Sequence, residues 1–154
     1  MTRELNLWSD IGKVFIISDH LSAEKLKDLK KGITESGLNI HEVDIVFIAE
    51  DQLKTAEEKS LRHAVPFSMK EIGFFGKIKN EEFVKLLSKK YDVIVFLGEL
   101  PERMYRILRK IKSKYTIGID QSGAQVQINL KTDNGLPSKQ LAYAKETLEK
   151  ISLR

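Results

Sequence analysis

The chain has 154 residues, of which 42% are hydrophobic and 31% charged, the length and balance of one globular domain with a core of its own. It contains no cysteine, which excludes disulfides, thiolate nucleophiles and zinc sites built on sulfur, and it lacks the ~18-residue apolar run that a membrane helix requires. The 26 basic and 22 acidic residues leave a net charge of +4, an excess mild enough to serve solubility alone.

The first stretch, "MTRELNLWSDIGK", shows no apolar leader core; residues 1–11 read as an arm or short helix, with Leu5, Leu7 and Trp8 packing back. "KVFII" (Lys13–Ile17) is a continuous apolar strand, the kind a sheet covered on both faces requires. Ser22 then caps a helix with the stripe Leu26, Leu29 and Ile33, ending near Gly37. "NIHEVDIVFI" (Asn39–Ile48) alternates and then turns apolar, a strand entering the covered region. Asp51 to Arg62 reads as a charged helix, and "VPFSM" (Val65–Met69) as a short strand that Pro66 confines to an edge or a strand start. Asn80 caps a helix with Phe83, Val84 and Leu87 on one face. "DVIVFLG" (Asp92–Gly98) is a second covered strand. Pro101 opens a helix with the stripe Met104, Ile107, Leu108 and Ile111. "YTIGID" (Tyr115–Asp120) is a shorter strand, and "QVQINL" (Gln125–Leu130) an edge strand with Val126, Ile128 and Leu130 on one side. The last helix follows Pro137, with Leu141, Ala144, Leu148 and Ile151 inward.

Alternating strands and helices predict a single α/β domain over residues 1–154. The architecture is three-layer and Rossmann-like: a mostly parallel sheet of five or six strands, ordered near 3-2-1-4-5-6, with right-handed crossovers placing helices on both faces. In such sheets ligands bind beyond the carboxyl ends of the strands, near a switch in strand order. The segment after the first strand, "SDHLS", has no glycine, and neither GxGxxG nor GxxxxGK[ST] occurs. Dinucleotide and P-loop binding are therefore not expected, and no cofactor is assigned.

The candidate ligand-binding residues are Ser18, His20, Ser22, Lys77, Gly98, Glu99 and Asp120. Ser18 and Ser22 stand where a helix N-terminus could hold a phosphate. Ser18, Asp19 and His20 superficially suggest a triad, but chain neighbours point apart and working triads are assembled from separate segments; Asp19 and His20 read better as loop residues before a cap. His41 and His63 are isolated, and no metal-ligand spacing exists. Glu99 and Glu102 flank Pro101, where acidic residues complement a helix dipole. Arg103, Arg106 and Lys110 share a helix face at i, i+3, i+7 spacing within the basic stretch 101–114. They form a solvated face or, alternatively, a phosphate-tracking stripe; no aromatic RNA-binding motif accompanies them, and nucleic acid is not the expected partner. In "KEIGFFGKIKN" (Lys70–Asn80) the glycines turn the chain twice so that Phe74 and Phe75 pack below the next helix, leaving Lys77 exposed.

That last stretch, followed by "KKYDVIVFLGE" and "KSKYTIGID", resembles a family of small bacterial α/β proteins of unknown function. In that family an "FGKPK"-like turn, a helix, a "FDxLIDLS"-like strand, a second helix and a "KVG"-like strand follow one another. The resemblance spans Lys13 to Ile151 and is most specific between Phe67 and Asp120. Ile78 stands where the family has proline, and Phe96-Leu97-Gly98 replaces the polar "DLS" ending. "YDVIVFLG…TIGID" also resembles the N-terminal half of heptosyltransferase-type glycosyltransferases, which implies the same sheet and, at most, an acceptor-half relic. The expected function is a non-catalytic binding or interaction domain in the cytoplasm, with a protein partner or self-association and no membrane. A sugar- or phosphate-handling enzyme remnant and a nucleic-acid-associated protein are the alternatives.

Overall fold

The computed structural model describes residues 8–9, 11–19, 22–48, 64–67, 81–98, 100–121, 126–132 and 135–151. In chain order they form β1 (Val14–Ser18), α1 (Ala23–Glu35), β2 (Val43–Ile48), β3 (Ala64–Phe67), α2 (Glu81–Leu87), β4 (Lys90–Leu97), α3 (Glu102–Leu108), β5 (Lys112–Ile119), β6 (Ile128–Leu130) and α4 (Pro137–Glu149). All strand pairs are parallel, and the six-stranded sheet runs β3-β2-β1-β4-β5-β6. This is the expected three-layer Rossmann-like arrangement, with Pro66 in an edge strand as its missing N–H requires.

Side-chain alternation along the strands feeds two cores. Ile16, Ile45, Val95 and Ile117 point to one face, where Leu26, Leu29 and Ile33 of α1 and Leu141, Ala144 and Leu148 of α4 cover them. Phe15, Ile17, Val46, Ile94 and Phe96 point to the other, beneath Phe83 and Leu86 of α2 and Met104, Ile107 and Leu108 of α3. Every residue of β1 is buried, which explains why its sequence has no polar alternation. The Ser22 hydroxyl accepts the Lys25 N–H (3.2 Å) and caps α1. Trp8 packs back on the first core and donates its indole N–H to the Ser36 carbonyl at 3.1 Å.

Helices α1 and α4 cross closely. A Cβ on Gly32 would lie 2.6 Å from the Ser138 Cα, so only glycine permits this approach. Beside it the Asp28 carboxylate accepts the Ser138 N–H and hydroxyl, each at 2.9 Å, and so caps α4 from across the crossing.

Several expected boundaries move. The basic stretch 101–114 is not one helix: α3 ends at Leu108, and Lys112 and Lys114 belong to β5. Pro101 precedes α3 at its N-cap position. Ile40–Glu42 form a 3-10 turn before β2. On α2 the buried pair is Phe83 and Leu86, while Val84 is 45% exposed, because a step of one residue rotates it about 100° off the core face. Ile151 lies past the end of α4 and is exposed. Val126 precedes β6 and packs against the second core, whereas Ile128 and Leu130 face the first. Gln127 explains the change: its N–H donates to the Thr116 hydroxyl (2.9 Å) and its side-chain carbonyl accepts the Thr116 N–H (3.0 Å), so regular strand pairing begins only after it. The expected 51–62 helix, Leu5, Leu7, His63 and the 70–80 turn lie outside the described residues.

Candidate functional site at the carboxyl ends of the strands

The strand order reverses between β1 and β4. Ser18 pairs with Leu97, and Leu97 with Ile119. The next residues, Asp19, Gly98 and Asp120, therefore form one row just beyond the sheet. Strand spacing puts the two aspartates roughly 10 Å apart with the glycine between them. This row is the switch-point position where ligands of such sheets bind.

Each member is held by short-range chemistry. The Asp19 N–H donates to the Leu97 carbonyl at 3.3 Å, tying the β1 exit to β4. Ser18, 1% exposed, donates its hydroxyl to Asp19 Oδ1 at 3.3 Å. Gly98 has φ +73°, and a Cβ there would overlap the Asp19 carboxyl group. The glycine thus serves both the backbone conformation and the room that Asp19 occupies. Asp120 takes a left-handed φ of 56°, a conformation that Asp tolerates better than most residues. It is over-determined: its N–H donates to the Leu130 carbonyl (2.8 Å), and its carboxylate accepts the Thr132 N–H (2.7 Å) and hydroxyl (2.8 Å).

Behind the row sits Gln121, 3% exposed. Its amide nitrogen donates to the carbonyls of Gly98 (2.5 Å), Ile119 (3.0 Å) and Phe96 (3.3 Å), joining the ends of β4 and β5. Its carbonyl accepts the Tyr105 hydroxyl of α3, and the Tyr105 ring stacks on Phe96 with centroids 5.2 Å apart. Asn129 of β6 completes the tie, exchanging bonds with the Gln121 main chain at 2.9 and 3.3 Å. The Gln121 side chain thus fastens two strands and a helix beneath the row, and its main chain ties in a third strand, β6.

Of the sequence-predicted residues, the fold brings Ser18, Gly98 and Asp120 together at this edge. Ser22 is nearby in sequence, but its hydroxyl is engaged as the α1 cap. His20, Lys77 and Glu99 lie outside the described residues. Arg103 and Arg106 are exposed on α3, with Arg106 3.7 Å from Glu102; Lys110 follows the helix in the turn to β5. Asp19 was weighed in a triad and read as a loop residue before a cap, and Gln121, Asn129 and Thr132 were not singled out, although polarity at a strand exit was a signal for Asp19 and Gln121. Chemically, the row offers carboxylate oxygens, which accept hydrogen bonds from hydroxyls and amines and repel phosphate. Among the described residues no three His, Cys, Asp or Glu side chains group as a metal site. The one described histidine, His41, lies in the 3-10 turn at the opposite edge.

Two further polar clusters sit at the amino ends of the strands. The Tyr91 hydroxyl donates to Asp44 Oδ2 (2.9 Å) and to the Leu86 carbonyl (3.1 Å). Burial, then the Asp44 charge and hydrogen bond, push this phenol well above its usual pKa, so it remains a donor. Burial works against ionisation of Asp92, but the N–H groups of Lys13 and Gly12 (each 2.8 Å) and the Lys114 ammonium (3.4 Å) outweigh it and hold the carboxyl below its ordinary range. An open groove between α1 and α4, lined by Gly32, Glu35, Ser138, Lys145 and Glu149, lies on the outer helix layer away from the strand ends.

A parallel three-layer α/β domain with a polar, glycine-centred row at its switch point is the class these features define. Within it, the chain belongs to a family of unknown function (DUF6913), which it matches over residues 2–146. None of the curated proteins matches it. No helix among the described residues is long and apolar enough to cross a membrane.

Proposed function

We propose that this chain is a binding or interaction module that engages a hydroxyl- or amine-bearing ligand, or a protein presenting such groups, at the Asp19–Gly98–Asp120 row. The observation that carries this reading is how the polar groups there are committed. Ser18 donates to Asp19, Thr132 donates to Asp120, and Gln121 locks the strand ends. Such a network fixes a recognition surface. A cytoplasmic home is part of this reading, since a chain without cysteine requires no oxidative folding. The "FFGK" and "YDVIV" stretches support a bacterial origin.

The test is a thermal-shift screen of the full chain with neutral sugars and polyols, polyamines, sugar nucleotides and sugar phosphates. A ligand at 100 times its Kd stabilises the native state by about 2.7 kcal/mol. A shift that Asp19→Asn abolishes, without turnover of the ligand, supports the reading. Turnover that disappears with Asp19→Asn overturns it.

A second reading, a sugar-handling remnant related to glycosyltransferases, draws on the same row. Carboxylates on either side of a glycine suit sugar hydroxyls better than phosphates, and Ser18, His20, Gly98, Glu99 and Asp120 would form its site. Its signature is a shift from a neutral acceptor sugar that is lost on replacing His20 or Glu99 as well as Asp19.

A further inference from the structure

The opposite edge of the sheet has the reverse electrostatic character. Because all strands are parallel, the amino ends of β4 and β5 and the turn after α3 share that edge. Residues 89–92 and 109–114 carry Lys89, Lys90, Arg109, Lys110, Lys112 and Lys114 against one carboxylate, Asp92. With Asp44, which pairs with Lys89, six cations against two carboxylates leave a local excess equal to the net charge of the whole chain, +4. Asp92 is engaged with the Gly12 and Lys13 N–H groups and with Lys114, and Lys89 pairs with Asp44 at 3.5 Å.

Lys90 and Lys112 are direct partners in the β4–β5 register, and both are exposed. Like charges facing each other on neighbouring strands destabilise a sheet. The favourable field of a helix C-terminus accounts for Arg109 and Lys110 after α3, but not for this pair. Lys114 follows two residues along β5 and lies 3.4 Å from Asp92. The result is a compact cationic platform with a built-in repulsion that an added anion would relieve.

We propose that this amino edge docks the phosphate backbone of a nucleic acid, without reading its sequence. Successive phosphates suit a row of lysines on adjacent strands, and neutralising them releases counterions. A lipid surface would favour apolar side chains among the cations. The exposed large apolar residues among the described ones, Val84, Leu136, Tyr143 and Ile151, all lie on or just beside α2 and α4, and none is on β4, β5 or the α3–β5 turn. The platform differs from the Arg103–Arg106 helix face, since Arg106 already has Glu102 beside it.

The experiment is fluorescence anisotropy of the full chain with a labelled random duplex and a labelled single strand over a salt series. Vesicles containing phosphatidylserine run in parallel. The wild-type chain is compared with Lys90→Gln/Lys112→Gln and with Lys139→Gln/Lys145→Gln, a control pair on α4. Each duplex phosphate neutralised adds about −0.9 to the slope of log affinity against log salt. Removing two contacts makes the slope shallower by about 1.8, so a fourfold rise in salt costs the wild type about tenfold more affinity than the variant. The Lys90/Lys112 variant is also expected to melt higher than wild type, because the repulsion is gone; a lowered melting temperature would overturn the strain argument. Binding that is absent at low salt, that falls equally in the α4 control, or that occurs on vesicles but not on nucleic acid, overturns the proposal.

Discussion

Replacing Gln121 with leucine tests the assembly beneath the candidate site. The side chain is 3% exposed, and its amide group bonds the carbonyls of Gly98, Ile119 and Phe96 on one side and the Tyr105 hydroxyl on the other. Leucine keeps most of the volume and removes every one of these bonds. A buried polar group stripped of its partner costs about 1–3 kcal/mol. The amide has two N–H groups to give, so at least two strand-end carbonyls and the hydroxyl lose a partner. Apolar burial of leucine offsets part of the loss, leaving an expected destabilisation of about 2–5 kcal/mol. For a chain of this length that lowers Tm by roughly 5–15 °C. Urea unfolding gives the free energy directly, with an unchanged m-value. Tyr105→Phe and the double variant complete a cycle, and the coupling should exceed about 0.5 kcal/mol because the two groups share one bond. Stability within about 0.5 kcal/mol of wild type, a range usual for surface sites, or strict additivity with Tyr105→Phe, would refute the role assigned to Gln121.

Three other substitutions are sharp enough to fail. Gly32→Ala should gain up to about 1 kcal/mol in helix propensity and lose about 1–3 kcal/mol to overpacking, because its Cβ would sit 2.6 Å from the Ser138 Cα; urea unfolding should show a net loss, and a gain would mean that the α1–α4 crossing yields easily. Gly98→Ala should cost at least about 1–2 kcal/mol for the left-handed φ of +73°, and more for displacing the Asp19 carboxyl group; a neutral result would remove Asp19 from its place over the glycine. Asp92 has a depressed folded pKa, so its contribution is present above its unfolded pKa of about 3.9 and is lost as pH falls through the lower folded value. Between those two values the unfolded chain binds the extra proton, and stability rises with pH. Asp92→Asn should therefore flatten the acid limb of the urea midpoint, and an unchanged limb would refute the shift.

The sheet was readable because its strands carry their environment in their sequence. "KVFII" and "DVIVFLG" have no polar alternation, which a doubly covered parallel strand alone explains, and Pro66 marked an edge by lacking a donor. The site was readable only in part. Ser18, Gly98 and Asp120 follow strands, and strand exits are where a parallel sheet binds. Gln121 gave no local sign of burial, since a glutamine after a strand looks like a loop residue. Its burial depends on carbonyls 23 and 25 residues away in the chain. Asp19 was read as a loop residue before a cap for the same reason: only the β1–β4 register places it beside Gly98. Val84 and Ile151 were assigned inward as members of apolar helix stripes, whereas the facing of a seven-residue helix and the end point of α4 decided otherwise.

The two edges of the sheet lead to an unusual expectation for ligand chemistry. In most sheets of this order, a phosphate-bearing ligand would be sought at the switch point, on a glycine-rich turn with free N–H groups. Here that position carries the carboxylates of Asp19 and Asp120, while Lys90 and Lys112 face each other at the other end of β4 and β5. An approaching anion is steered away from the first edge and toward the second. A neutral polyol or an amine has no reason to visit the lysines. A stabilising phosphate compound can therefore be assigned to an edge by substitution: binding lost with Lys90→Gln/Lys112→Gln belongs to the amino edge, and binding lost with Asp19→Asn to the row. A phosphate ligand that required Asp19 and ignored both lysines would contradict the electrostatic division of the molecule, and with it the choice of hydroxyl or amine donors as the natural ligands of the row.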